Sequence, residues 1–154
     1  DDRWMALQGA HSLSIQPVIV VDAGTAMTID AILDGQHLGG FIVPGLTSLR
    51  GCLASDTAIK TVVDGSVVLD ADKIEHTLLA TNTSDAILAG TLYMSSAFIN
   101  RLILDLNQQL ETSFQVMITG GNAAKLSSLI DVPSDYIPDL VLLGMKRIVE
   151  SVKK

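Results

Sequence analysis

Val18-Ile19-Val20-Val21-Asp22-Ala23-Gly24-Thr25-Ala26-Met27-Thr28-Ile29-Asp30-Ala31-Ile32-Leu33-Asp34-Gly35 is the stretch that decides the fold. Its first four residues are a β-branched run of strand length, stopped by Asp22-Ala23-Gly24. A second strand over 26–33 begins at once, with partial alternation of apolar and polar positions. Asp34-Gly35 is a strong hairpin turn signal. A third strand over 37–43 stops at Pro44-Gly45. Three strands joined by tight turns make an antiparallel meander.

Working outward, residues 2–14 read as a helix with an acidic start, Trp4, Leu7 and Ala10 recurring at three-residue spacing; Pro17 ends it. A short helix is expected over 46–54. Residues 55–80 read as loop-rich, with a turn at Asp64-Gly65. Asn82-Thr83-Ser84-Asp85 supplies capping oxygens for a long helix over 83–110, whose Leu88, Leu92, Ile99, Leu102, Leu106 and Leu110 lie near one face. A fourth strand over 114–119 ends at Gly120-Gly121. A helix over 122–130, a brief strand at 136–137 and a last helix over 139–152 follow, with Pro138 before that helix and Lys153-Lys154 after it. A meander followed by strand–helix alternation implies an α/β fold with a mixed sheet and flanking helices.

The chain has 154 residues, the size of one domain, and can bury about 70% of the surface of its unfolded form. Asp and Glu number 17 against 10 Lys and Arg, a net charge of -7. That balance argues against a nucleic-acid surface, which draws its affinity from cations on phosphates. A small anionic substrate needs only one or two local cations and stays open. Apolar residues are 48% of the chain and charged ones 18%, short of the roughly 25% of an average soluble domain. So little charge points to surface covered by another chain or domain, and the same composition excludes disorder over most of the length. Cys52 is the single cysteine, so no intrachain disulfide forms, which suits a reducing compartment. No signal segment and no run of 18 apolar residues is present. The most apolar stretch, 86–106, is interrupted by Ser95, Ser96, Asn100, Arg101 and Asp105 and reads as a buried helix rather than a membrane span. The chain starts Asp1-Asp2-Arg3-Trp4 without an initiator methionine, so a piece of something longer is expected.

Four segments could carry chemistry. In Asp22-Ala23-Gly24-Thr25-Ala26-Met27-Thr28, small residues at a tight hairpin let backbone N–H groups approach an anion, a threonine hydroxyl adds a donor, and Asp22 can meet a cation. On spacing alone, a glycine hairpin with an ordinary turn aspartate is the simpler reading. Gly39-Gly40-Phe41-Ile42-Val43-Pro44-Gly45 brackets a strand with glycines, which mark either a bulge or a ligand lying on the backbone. Thr119-Gly120-Gly121-Asn122 opens from a strand end into a helix start, either an anion niche or a tight turn. Asp2-Arg3 pairs a possible base with a cation suited to a carboxylate, or is a surface ion pair. His11, His37 and His76 show no metal-ligand spacing with Cys52 and read as structural or solvated. No Ser-His-Asp set and no Walker-type Gly-Lys-Ser/Thr occurs.

Together, and in order along nearly the whole chain, these segments resemble the type III pantothenate kinases, the family that includes the Bvg accessory factor proteins. Asp2-Arg3-Trp4 with Ala6, Gly9 and Ala10 resembles the family's Gly-x-Asp-Arg-Trp segment without its first glycine. Asp22 to Thr28 resembles its Asp-x-Gly-Thr-Ala-x-Thr phosphate and cation motif. Gly39-Gly40 through Pro44-Gly45 resembles its Gly-Gly-x-Ile-x-Pro-Gly segment. Asn82-Thr83 with Ala86 and Gly90 resembles its Asn-Thr-x-x-Ala-x-x-x-Gly helix start, and Thr119-Gly120-Gly121 its adenosine-side glycine pair. The resemblance implies the fold of the actin, Hsp70 and sugar-kinase superfamily, with residues 1–154 as the C-terminal ribonuclease-H-like half. The family's N-terminal Asp-x-Gly-Asn-Thr motif has no counterpart in this sequence, so the chain alone would be catalytically incomplete.

The resemblance also implies an activity: transfer of the ATP γ-phosphoryl group to the primary hydroxyl of pantothenate, opening coenzyme A synthesis in the cytoplasm. By carry-over, Asp2 is the general base and Arg3 binds the pantothenate side. Asp1 belongs to the same substrate segment. Asp22 ligates a monovalent cation, potassium or ammonium. Thr25 and Gly24, with Gly120 and Gly121, serve ATP, which brings magnesium. Thr83 meets substrate across a homodimer interface centred on helix 83–110, a helix apolar over more of its circumference than one covered face requires. No nucleic acid and no membrane enter this picture. The competing expectations are a non-catalytic regulatory accessory protein of the same family, which gives no reason for Asp2, Asp22 and Thr25 to occur together, and a sugar kinase of the same superfamily, which the small size and the compact glycine segment oppose.

Overall fold

A two-residue side-chain period leaves each strand with two faces to cover; the central strands of the observed sheet are covered on both, and the edge strand at 36–44 stays largely exposed. The computed structural model describes residues 2–56 and 79–152. The elements are α1 (Asp2–Leu13), β1 (Val18–Ala23), β2 (Ala26–Leu33), β3 (Gln36–Pro44), α2 (Leu46–Asp56), α3 (Thr83–Gln109), β4 (Gln115–Thr119), α4 (Ala123–Ser127), β5 (Ser134–Tyr136) and α5 (Leu140–Val152). Most of the stretch read as loop-rich, the histidine at 76 and the two terminal lysines lie outside the described residues. The five strands form one sheet in the order β3-β2-β1-β4-β5. β1, β2 and β3 are the antiparallel meander, while β4 pairs parallel with β1 and β5 parallel with β4. A parallel neighbour needs a crossover, which the α2–α3 segment supplies between β3 and β4 and α4 supplies between β4 and β5.

One face of the sheet presents Ile19, Val21, Ala23, Met27, Ile29, Ala31, Val116 and Ile118 to Ile99 and Ile103 of α3, Leu46 of α2 and Leu126 of α4. The other presents Val18, Val20, Ile32 and Met117 to Ala6, Leu7 and Ala10 of α1 and Leu140 of α5. Cutting back one such sealed aliphatic side chain costs about 2–5 kcal/mol, so either layer alone can decide whether the domain folds. The two helices of the second layer touch backbone to backbone: a β-carbon on Gly144 would run into the Met5 carbonyl, and one on Gly9 into the Leu140 carbonyl. In α1 the three-residue spacing drifts off the covered stripe. Leu7 and Ala10 are sealed, but Trp4 is 49% exposed and Ala6 takes the inward place.

α3 starts on a built cap. Asn82 Oδ1 accepts the Asp85 amide at 2.9 Å, and Asn82 Nδ2 donates to Asp85 Oδ2 at 2.6 Å. By length and composition this helix could cross a membrane. Its Leu88, Thr91, Ser95, Ser96, Ile99 and Ile103 are instead buried in the fold. Arg50 of α2 ties the two helices together, donating to Thr91 Oγ1 at 3.0 Å and to the Leu88 carbonyl at 3.4 Å. Burial pulls its guanidinium below the ordinary arginine pKa. The helix expected over 122–130 is only Ala123–Ser127. Ser127 and Ser128 turn their hydroxyls back onto the Ala124 and Lys125 carbonyls, the local bonding by which serine competes with helix propagation.

Candidate functional site

Three turns meet at one end of the sheet. The β1–β2 turn carries Asp22, Gly24 and Thr25. The β3–α2 turn braces it: the Gly45 amide donates to the Thr25 carbonyl at 2.9 Å, and the Ser48 hydroxyl donates to the same oxygen at 2.9 Å. A side chain at Gly45 would collide with the Gly24 and Thr25 carbonyls, so glycine is required there. The β4–α4 turn braces the other side, where the Asn122 amide donates to the Ala23 carbonyl at 3.0 Å. Gly120 has φ 94°, and a β-carbon on it would lie 2.7 Å from Asp22 Oδ1 and 2.6 Å from the Ala23 carbonyl carbon. Asp22 Oδ1 therefore sits against Gly120, with Gly24 on its other side. The Thr25 side of the turn is exposed, as is Gly121.

Register decides which groups share a face. Asp22 is opposite both Thr28 and Thr119, and Asp30 is opposite both Val20 and Gly40. Directly paired residues point the same way and alternate residues repeat it, so Asp22, Thr28 and Asp30 line the face that α1 covers. α1 runs along that face from Arg3, bonded to Asp30, to His11, whose ring lies beside Gly35 in the opposite hairpin. Eight residues of helix span about 12 Å. The N-terminus of α1, with Asp2 in its first turn, is thus aimed at the end of the sheet where Asp22 and Thr25 lie. Asp1 and the side chain of Asp2 fall outside the described residues. Thr83 stands exposed at the start of α3, on the layer across the sheet from α1.

Asp30 and His37 are the part of this face that sequence reasoning missed. Arg3 Nε donates to Asp30 Oδ2 and Arg3 Nη2 to Asp30 Oδ1, both at 2.6 Å. His37 Nε2 lies 2.7 Å from Asp30 Oδ1. Asp30 is 3% exposed and the Arg3 side chain 26%, so removing one partner costs less than the ~3–5 kcal/mol of a fully buried pair. The two charge-assisted bonds to Asp30 hold the Arg3 guanidinium above its ordinary pKa, partly offset by burial. Because the shift is upward, the contribution is complete below arginine's ordinary pKa and is lost only above it, far from neutrality. The Asp34-Gly35 hairpin alone would set Asp30 opposite Gly39; the bulged Leu38, which brings Gly40 there, had no signal in the strand pattern.

The profile of the type III pantothenate kinase family matches residues 1–105 of this chain. The chain belongs to the type III pantothenate kinase family. A type III pantothenate kinase from Hydrogenovibrio crunogenus is 43% identical over 151 residues, which cover 98% of this chain and 59% of that one. Another from Nitrosococcus oceani is 35% identical over 159 residues, 99% of this chain and 57% of that one. The chain thus spans less than two thirds of these relatives' length. Among solved structures, a conserved Baf-family protein from Campylobacter jejuni, named as a transcriptional activator, superposes with a TM-score of 0.64 at 27% identity over 95% of this chain and 62% of its own. MreB5 of Spiroplasma citri bound to AMPPNP superposes at 0.55 with 15% identity over 99% of this chain and 58% of its own, which shows a shared fold. That shared fold is the one the motifs implied. Gly45 and Gly120 pack against the β1–β2 turn, and Gly40 packs against Asp30 on the face beside it.

Proposed function

We propose that the protein transfers the γ-phosphoryl group of ATP to the primary hydroxyl of pantothenate, and that residues 1–154 are the C-terminal ribonuclease-H-like domain of a two-domain cytoplasmic kinase. One observation carries the reading: the Asp22–Thr25 turn, held rigid by Gly45 and Gly120, lies at the end of the sheet toward which the Asp2 end of α1 is aimed. Phosphoryl transfer asks mainly for positioning and charge stabilisation, which such a braced turn supplies.

The roles follow from placement. The Gly24–Thr25 turn offers backbone N–H groups and a hydroxyl to the ATP phosphates, and Gly120 and Gly121 let the nucleotide approach the neighbouring backbone. Asp2 accepts the proton of the pantothenate hydroxyl as its oxygen bonds to the γ-phosphorus. The bond to the bridging oxygen breaks, and ADP leaves with that electron pair. No group of three or more His, Cys, Asp or Glu suited to a metal occurs among the described residues. Magnesium would accompany ATP on the nucleotide's own phosphates. A single carboxylate, Asp22, beside backbone carbonyls suits a monovalent cation such as potassium or ammonium. When bound, both cations offset phosphate charge.

The dimer belongs to the same reading. On α3, Tyr93 is 64% exposed, with Met94 and Leu104 also outward, which is more apolar surface than a solvated helix needs. A second copy across this helix would cover it and bring Thr83 toward the partner's substrate. Light scattering behind size exclusion of the full-length protein is expected to give twice the chain mass, and Tyr93→Glu is expected to shift it to one; a wild-type monomer at micromolar concentration removes the dimer.

The reading itself is tested by coupling ADP release from the full-length protein to NADH oxidation. ADP release that requires pantothenate is expected. Release driven instead by a sugar, or indifferent to added acceptor, would replace this reading by another kinase or an ATPase.

A further inference from the structure

The geometry points to Asp30, seconded by His37, as a positioning pair for the transfer site: it fixes Arg3, and through Arg3 the first turn of α1 that carries Asp2. The inference deepens the pantothenate kinase reading and rests on it.

Four observations converge on this carboxylate. First, the side chains that follow Arg3 in the opening turn of α1 are lightly covered, although the Met5 backbone packs on Gly144 of α5. Trp4 is half exposed, Met5 is only partly covered, and the first sealed side chain is Ala6. Second, Asp30 meets Arg3 with both oxygens, in the planar two-bond geometry that fixes a guanidinium's orientation as well as its distance. Third, the neighbouring strand is shaped around Asp30. The ladder between β2 and β3 slips between Ala31 and Ile32, so that Gly39 pairs with Ala31 and His37 with Ile32, leaving Leu38 as the extra residue. The Asp34-Gly35 turn pairs His37 with Ile32, on the face of Asp30, and from there His37 reaches Asp30 Oδ1. The bulge sets Gly40, rather than Gly39, directly opposite Asp30. Gly39 makes the bulge with φ 126°, a conformation that a side chain disfavours. Fourth, Gly40 lies so close that any side chain there would strike Asp30 Oδ1 and the Ile29 carbonyl.

His37, Gly39 and Gly40 thus serve one acid that lies outside the phosphate turn. The consequence concerns Arg3. Its Nε and Nη2, the flat fork that a substrate carboxylate would take, are spent on Asp30. Arg3 is then a positioning residue that sets where Asp2 stands, rather than the group that binds the pantothenate carboxylate. Asp2 lies one residue from the clamp, and at that distance a small rotation of the helix end displaces the base from the hydroxyl. A displacement of about 1 Å costs on the order of 100-fold in rate.

The test uses full-length Arg3→Lys, Asp30→Asn and the double variant, with His37→Gln as a milder perturbation should Asp30→Asn fail to fold. Steady-state kinetics are paired with hydrogen exchange of the peptide spanning the start of α1. Arg3→Lys and Asp30→Asn are each expected to lower kcat roughly 10- to 100-fold. Pantothenate KM is expected to stay within about twofold, the signature of lost positioning rather than lost binding. The double variant should be little worse than either single one, because both break the same clamp. Amide exchange in the first turn of α1 should quicken in both single variants, and less in His37→Gln. A raised pantothenate KM with kcat kept in Arg3→Lys, alongside a near wild-type Asp30→Asn, overturns the proposal and returns Arg3 to substrate binding. A wild-type protein without pantothenate-dependent turnover would sink the kinase reading instead. The exchange measurement then still decides the clamp, since an unaltered first turn in Asp30→Asn or His37→Gln overturns it.

Discussion

Asn in place of Asp2 is expected to lower kcat/KM for pantothenate in the full-length enzyme by about 10²- to 10⁴-fold, the usual worth of a positioned general base. The substitution keeps the size of the side chain and removes its ability to take a proton. Its structural cost should be small, because an acidic residue in the first turn of a helix contributes only about 0.3–1 kcal/mol through the helix dipole. Melting temperature and circular dichroism should therefore match wild type while turnover collapses. Turnover within a few-fold of wild type would take the base role from Asp2 and leave binding and positioning to explain the rate.

The second large effect is structural. Gly120→Val is expected to destabilise the domain by about 3 kcal/mol or more, through a positive φ that a branched residue resists and a β-carbon forced against the Asp22 carboxylate and the Ala23 backbone. For a domain of this size that corresponds to a fall of roughly 6–12 °C in Tm. The neighbouring glycine is the control. A β-carbon on Gly121 meets nothing within 4 Å and its φ lies outside the left-handed region, so Gly121→Ala should leave Tm within about 1 °C. Equal effects at the two positions would mean that the β4–α4 turn is not wedged against β1 as described.

How far the sequence could be read depended on how local the cause was. β2 spans Ala26–Leu33, the run bounded by Gly24 and Asp34-Gly35, because turn chemistry on both sides fixed it. α3 was legible for the same reason, with Asn82 as a cap and a helical period sustained over many turns. Trp4 was misjudged because a three-residue repeat advances 300° per step, not 360°, and leaves the covered stripe within two steps. α4 came out shorter because two serine hydroxyls found carbonyls one turn back, a choice invisible to periodicity.

In the site, Asp22, Gly24, Thr25 and Gly120 were legible as turn residues, and the structure gathers them at one end of the sheet. The clamp was not. Arg3 and Asp30 are 27 residues apart, and Gly40 lies opposite Asp30 only because one residue is bulged out of β3. Such a contact depends on the register between strands and on the helix laid across them, and a single strand's pattern holds neither. The glycines at 39 and 40 were noticed as permissive backbone. Their purpose becomes plain only once the carboxylate opposite is seen.

The most direct test is a crystal structure of the full-length enzyme with pantothenate and a non-hydrolysable ATP analogue, read for two distances. The Asp2 carboxylate should lie about 3 Å from the primary hydroxyl of pantothenate, and the phosphates should lie within hydrogen-bond reach of the Gly24–Thr25 turn. Ligands bound at the opposite end of the sheet, beside the Asp34-Gly35 hairpin, or phosphates with no contact to the β1–β2 turn, would contradict the account.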